Sequence, residues 1–479
     1  MTFIDAPAST RLHWFWKSAS TLLLCAATAS AGTPTPSDAQ LTRIDEVIRA
    51  ALAEGNIPGA SVAIEYHGKV IFKKGFGFAD LENKVPVTPE SVFPIGSITK
   101  TMTGLAIQQL IAAGKIDLDA PVGHYLPNLA APARDAKIRY LLDHTSGIVN
   151  YTEIAEFPNY TQAAMTRAEI VGWFAERPLL FPMGTRWSYS NSGLYLLGMV
   201  VEAVSGKSYA EYLQENEFRP FAMTNSTLSG WRSLIPGRAH GYRRGGLGPE
   251  NAPRYDPLLP FAAGAVSSTA EDLLKYRRGV FSNDLTAPAI RTELLRQDRL
   301  PDGFVLPYSL GCLVLGNFEG HRRIGHPGDI HGYSAQYSYY PDDDLTVVIL
   351  TNLQDAQFPP MSIEDKIVRI LFHIPPPVIQ DASLSEQMAQ PLLGEYEVGH
   401  LRFGFDRIAF VFKDGLMQME LGGEGAPAIP LRYQGGRKFV SSIDDEQRVE
   451  FSSAEDSIDV TVSFYGSPLE LHRIRPLAN

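Results

Sequence analysis

The chain contains only two cysteines in 479 residues, Cys25 and Cys312. Beyond the first 31 residues a single one is left, so an internal disulfide framework is excluded there. Basic residues are also short, 42 Lys and Arg against 53 Asp and Glu for a net charge of −11. Such a balance repels phosphate backbones, and no nucleic-acid partner is expected. Past residue 31 no apolar run is long enough for a membrane span. Two hydrolase signatures are missing as well. There is no Gly-x-Ser-x-Gly elbow and no His-Glu-x-x-His, and the scattered His124, His144, His240 and His331 lack a zinc spacing. Neither a metal nor a cofactor is expected, and His144 and His240 read as turn and packing residues.

What is present is an ordinary globular composition, 44% hydrophobic and 20% charged, in a chain long enough for more than one domain. Residues 1–31 stand apart. Arg11 and Lys17 precede "SASTLLLCAATASA", an apolar run too short to span a bilayer that ends in the small-x-small Ala29-Ser30-Ala31. This predicts an exported protein, periplasmic or secreted, cleaved after Ala31. Cys25 would leave with the leader, and the mature chain would be one unit more negative.

Hydrophobic spacing then organises the rest. Leu41, Ile44, Val47, Ile48 and Leu52 recur at helical intervals between Ser37 and Gly55. "GASVAIEYHGKVIFKKGFG" reads as two strands joined at His67-Gly68, and helical segments follow through Tyr212. Strands resume in "YSAQYSYY" and "LTVVILTN" around a Pro341–Asp344 turn, with "IEDKIVRILFHI" as a closing helix. The expected fold is of the α/β (α+β) class: an antiparallel sheet built from both ends of a domain, flanked by helices, with an all-helical lobe from the middle. After the proline-stiffened linker that begins in "IPPPVIQDA", short alternating segments such as "IAFVFKDGLMQMEL" predict a separate antiparallel β-domain. The expected boundaries are 1–31, 32–375, a linker at 376–388, and 389–479. Nothing in the pattern sets an oligomeric state.

Three short motifs carry the chemistry. "PIGSITKTMTGLAIQQLIAAGKI", Pro94 to Ile116, reads as a helix with Ser97 and Lys100 on one face of its first turn. A serine there usually caps the helix. Serine is a poor nucleophile unless a base takes its proton, and burial together with a helix N-terminus lowers a lysine pKa toward that role. Ser-x-x-Lys alone is weak, arising by chance about once in a chain this long. Tyr189-Ser190-Asn191 adds a phenol able to relay protons and an amide able to hold both a substrate amide and the lysine. His326-Pro327-Gly328, just before a strand, adds a histidine placed to orient substrate or tune the tyrosine.

"SITK", "YSN" and "HPG" in this order resemble the three signature elements of the serine β-lactamase and penicillin-binding-protein superfamily. The flanks "LLDHTSGI", "WSYSNSGLYLLG", "VSSTAEDL" and "IGHPGDIHGYSAQYSYYPDDDLTVVILTN" are most similar to its class C β-lactamase, D-alanyl-D-alanine carboxypeptidase and esterase branch. The resemblance covers Leu41 to Phe372, and the tail more weakly resembles lipocalin-like β-barrels appended to such hydrolases. It implies a β-lactamase/transpeptidase-like fold and an acyl-enzyme mechanism. Ser97 would be the nucleophile, Lys100 the base and Tyr189 the proton shuttle, while Asn191, His326, Gly328 and Asp329 would bind substrate. The oxyanion hole would use backbone N–H groups of Ser97 and Asp329. Which group takes the first proton is left open.

The third motif departs from class C β-lactamases, which have lysine and threonine where His326 and Pro327 stand. Asp329 adds a negative charge where a substrate carboxylate would lie. An ester, or a peptide bearing an amine, is therefore expected ahead of a β-lactam. A D-alanyl-D-alanine carboxypeptidase is the alternative, since a protonated His326 could bind a carboxylate. A non-catalytic cell-wall sensor or scaffold of the same fold is the alternative of another class.

Overall fold

The computed structural model describes residues 35–154, 157, 165–228, 234–282, 284–356, 358–423, 425–452, 459–464 and 467–475. The expected leader lies outside them. Helix Asp38–Glu54 opens with a capping box, in which Ser37 Oγ accepts from the Gln40 N–H and the Gln40 side chain answers the Ser37 N–H at 3.0 Å. It buries Ile44, Ile48 and Leu52 together with Ile363, Ile367 and Leu371 of helix Pro360–Leu371.

These two helices cover one face of a nine-stranded sheet. Gly59–Tyr66 lies between Leu345–Thr351 and Lys69–Asp80. Beyond Leu345–Thr351 come Tyr333–Tyr340, His321–Ile330, Val314–Phe318, Val305–Ser309 and Gln297–Arg299, while Val85–Pro86 closes the other edge. The pairings across it are antiparallel. Both ends of the hydrolase part thus build one sheet, as the strand pattern predicts. The period of two sends Val62, Ile64, Val347 and Ile349 to the two-helix face and Ala63, Val348 and Leu350 to the opposite core. The first hairpin turns at His67 and Gly68, whose φ angles of 48° and 72° match the right-handed strand twist.

Helix Thr99–Ala112 runs through that opposite core, with every residue from Thr99 to Gln108 buried. Helix Asn191–Ser205 packs within the same core and stops at Gly206 in the left-handed conformation. The expected helix from Pro94 to Ile116 is shorter than its apolar pattern. Gly96, at φ +50°, forces a single 3-10 turn, Gly96–Ile98, before the α-helix begins, and the chain leaves it near Gly114 at φ +68°. Ser97 therefore sits in the tight turn, and its hydroxyl makes no capping bond.

The tail forms a closed eight-stranded barrel, from Gly394–Val398 round to Ser467–Arg475, which pairs back onto the first strand. Tyr396, Phe410, Phe439 and Phe451 cluster edge-to-face, with centroids 4.9–6.0 Å apart where the rings meet. Side chains fill a barrel of this size. Pro36–Asn479 is one compact unit. Leu401–Arg402, in the barrel loop that follows Gly394–Val398, pairs in parallel with Trp187–Ser188, and Arg402 meets Glu153 at 2.8 Å while Arg186 meets Asp406 at 3.0 Å. Among the described residues no helix is long and apolar enough to cross a membrane.

Candidate active site

The Ser97 turn is wedged against the strand that carries His326 to Asp329. A Cβ on Gly328 would lie 2.0 Å from the Ile95 carbonyl oxygen, and one on Gly96 would lie 2.8 Å from the Asp329 nitrogen. Both glycines are thus fixed by close backbone approach. At Gly328, expected as a substrate contact, the structure shows close packing on the Ile95 carbonyl.

Lys100 follows one turn on and is 0% exposed. Its Nζ stands 2.9 Å from Ser97 Oγ, 2.7 Å from the Ala263 carbonyl oxygen and 4.9 Å from the centre of the Tyr189 ring. Loss of hydration disfavours the ammonium and brings its pKa down to about 7. Tyr189 donates its phenol proton to Ser97 Oγ at 2.8 Å. The three expected residues, up to 92 positions apart, meet on one oxygen. With the amine neutral, the proton chain runs from Tyr189 to Ser97, from Ser97 to Lys100, and from Lys100 to Ala263 O. The serine is left with a base on one side and an acid on the other.

Tyr189 is seated by aromatic neighbours. The His144 ring lies 4.7 Å from it and 4.6 Å from Tyr308, and the His144 Nδ1 accepts from the Ser190 N–H at 3.2 Å. His144 is thus a packing residue in a left-handed turn, φ +64°. His240, by contrast, is exposed, its Nδ1 3.8 Å from Asp80.

His326 corrects an expectation. It is 3% exposed, and its Nδ1 meets the Pro327 carbonyl oxygen at 2.5 Å while Nε2 meets the Tyr308 hydroxyl at 2.9 Å. A carbonyl can only accept, so Nδ1 carries the proton and Nε2 accepts from Tyr308. Burial, reinforced by the Lys100 charge, pushes its pKa down to about 3. It is neutral at working pH and offers no cation to a carboxylate.

Asn191 also differs in detail. Its Nδ2 donates to Asn150 Oδ1 at 3.3 Å and Thr152 Oγ1 at 3.2 Å, while Ala263 O takes the expected place beside the lysine. Both amide donors are engaged, so its oxygen is the atom left for a substrate N–H. Asn150 in turn donates to Glu153 at 3.0 Å, and Glu153 is paired with Arg402 of the barrel. Asp329 faces the cleft with Oδ1 accepting from Ser334 Oγ at 2.6 Å. Crowding by surrounding protein raises its pKa, against the lowering effect of that hydroxyl.

Two chambers meet at Ser97. The larger, about 470 Å³, is walled by Trp187, Tyr189, Tyr308, Pro327 and the barrel's Leu401 and Phe403. The smaller, about 240 Å³, lies toward Tyr151, Tyr255, Pro260 and His331. Asn191 and Asp329 border both. Asn150, Tyr308, the Ala263 carbonyl and the barrel loop had no motif to mark them; each reaches the site only through tertiary packing.

The comparisons with known proteins agree with this geometry. The chain is 28% identical over 326 residues to penicillin-binding protein 4* of Bacillus subtilis, covering 64% of this chain and 71% of that protein. The fold matches the octameric penicillin-binding protein homologue of Pyrococcus abyssi with a TM-score of 0.62 at 23% identity, over 90% of this chain and all of the other. A D-stereospecific amidohydrolase from a Streptomyces species matches with a TM-score of 0.59 at 26% identity, over 70% of this chain and 98% of that one. The model of the Beta-lactamase family matches residues 44–367, so a chain with these three motifs gathered on one serine belongs to the Beta-lactamase family and has its serine hydrolase fold.

Proposed function

We infer that the protein is an exported serine hydrolase that cleaves an ester or amide bond through an acyl-enzyme. The observation that carries this is Ser97 Oγ held between Lys100 Nζ at 2.9 Å and the Tyr189 hydroxyl at 2.8 Å, with the lysine pKa brought down to about 7. Lys100 takes the Oγ proton as Oγ attacks the substrate carbonyl. The N–H groups of Ser97 and Asp329 receive the oxyanion, a role supported by the close approach of the Gly96 turn to the Asp329 nitrogen. Tyr189 hands a proton to the leaving group, and water then releases the acyl group. Export rests on the leader-like residues 1–31.

The amide arm draws support from the Streptomyces relative, named for D-stereospecific amidohydrolysis. A substrate with a free amine suits the cleft, where the Asp329 carboxylate would face it. Neutral His326 weighs against a carboxypeptidase that anchors a terminal carboxylate there.

The test is to mix the purified protein with a nitrophenyl acetate and quench. One acetyl group per chain, mapped to Ser97 by mass spectrometry and missing in Ser97→Ala, is the expected result. Equal turnover by both proteins, or no turnover by a folded wild type, would leave the non-catalytic sensor as the better reading.

The pH dependence gives a separate prediction. Neutral lysine grows as pH rises, so acylation should climb roughly tenfold per unit below pH 7 and level off above it. His326 does not titrate in this range, so His326→Asn should keep the midpoint. Buried Asp143, raised to about 7 by lost hydration, is the competing group, and Asp143→Asn should keep it too. A midpoint that moves with either variant would take the ionisation away from Lys100.

A further inference from the structure

The chamber closed by the barrel is also the chamber that holds the acid. A general acid must stand within hydrogen-bond reach of the atom it protonates. Tyr189 lines the larger chamber but not the smaller, so the departing group enters the larger. Its walls are Trp187, Tyr308 and Val314 from the hydrolase part, and Leu401, Phe403 and Leu469 from the barrel. Among the described residues no lysine or arginine lines it, and its charged side chains are Glu153 and Asp329.

The barrel wall is held in place by main-chain and side-chain bonds. The Trp187 N–H donates to His400 O at 3.0 Å, and Arg186 Nη2 donates to Val398 O at 2.8 Å. The Phe403 ring centre lies 5.1 Å from that of Trp187. Arg402, between the two apolar residues, is engaged by Glu153 and Asp406. A preformed apolar surface therefore meets whatever Tyr189 protonates.

We propose that Leu401 and Phe403 of the barrel form the leaving-group subsite and select esters and amides whose leaving group is bulky, apolar and free of negative charge. This rests on the acyl-transfer reading of Ser97, Lys100 and Tyr189. In the step concerned, the bond from Ser97 Oγ to the carbonyl carbon forms and the bond from that carbon to the leaving oxygen or nitrogen breaks. The proton that Lys100 takes from Ser97 departs with the leaving group by way of Tyr189. Selection thus acts on acylation and leaves deacylation untouched.

Phenyl acetate and 2-naphthyl acetate test this, because they give the same acetyl-enzyme and release phenols of similar acidity. The wild type should favour the naphthyl ester by at least roughly tenfold in kcat/KM, the scale of discrimination an apolar pocket achieves. Phe403→Ala should cut that ratio several-fold, Phe403→Leu should restore most of it, and the deacetylation rate should be the same in all three. A sulfonate on the naphthyl ring should abolish the preference. Leu401→Ala is the second probe, should Phe403→Ala melt early. An unchanged ratio in both folded variants, or a sulfonated ester used as well as the neutral one, would overturn the subsite while the enzyme still turned over. Failure of the wild type to cleave either ester would overturn the acyl-transfer reading, and the subsite with it.

Discussion

Arginine in place of Lys100 should lower the acylation rate by about a thousandfold, within the range a positioned general base contributes. A guanidinium stays protonated at any working pH and cannot take the Ser97 proton. It also adds bulk where the lysine is 0% exposed and packed under the Tyr189 ring. Lys100→Met keeps the volume without the amine and should lose as much. Rapid-quench measurement of acetyl-enzyme formation checks both, and an arginine variant within tenfold of wild type would assign the base to another group. Stability gives a second readout. The folded pKa of about 7 lies below the ordinary 10.5, so between these values the unfolded chain binds more protons and stability rises with pH. The cost of the buried charge is fully present below pH 7, at most roughly 5 kcal/mol. Lys100→Met should therefore be more stable than wild type at pH 6, by a margin that shrinks toward pH 10.5 in denaturant titrations.

Gly328→Ala should damage both stability and activity. The added methyl would lie 2.0 Å from the Ile95 carbonyl oxygen, which is backbone and cannot swing away. The strand must lift from the Ser97 turn, a form of overpacking that costs about 1–3 kcal/mol or more. Lifting it also draws the Asp329 N–H from Ser97, and a displacement of about 1 Å at a reacting centre can cost on the order of a hundredfold in rate. Urea unfolding and acetyl-enzyme formation should fall together. A variant that keeps wild-type stability and rate would mean that this contact is softer than its geometry and that the oxyanion donors lie elsewhere.

Much of this protein was legible from local pattern. The short, almost unbroken apolar run "LTVVILT" marked a strand with two buried faces, and His67-Gly68 and Asp414-Gly415 marked hairpins, where their φ angles of 48°–77° belong to one turn geometry. The three motifs named the residues that meet at Ser97, since that chemistry needs a hydroxyl, an amine and a phenol. Local pattern overran at the Ser97 helix, because apolar spacing counts buried positions and is blind to the left-handed Gly96 that delays the α-helix.

Other assignments turned on environment. Ordinary side-chain chemistry makes His326 a group that can charge near neutrality, but burial and the neighbouring Lys100 charge keep it neutral, against the bond to the Pro327 carbonyl, which favours the charged form. Desolvation, which brings Lys100 into the range of a base, depends on how many atoms surround it, a property of the folded chain alone. The same holds for Asn150, which stands 41 positions from Asn191, and for Leu401 and Phe403, which lie on the far side of a proline-rich linker. The sequence by itself determined the class of fold and named the hydroxyl, amine and phenol that meet at Ser97, because periodicity and functional groups are local. Only the tertiary structure decided which groups are charged and what walls the cleft, because hydration and contact between distant segments exist only once the chain is packed.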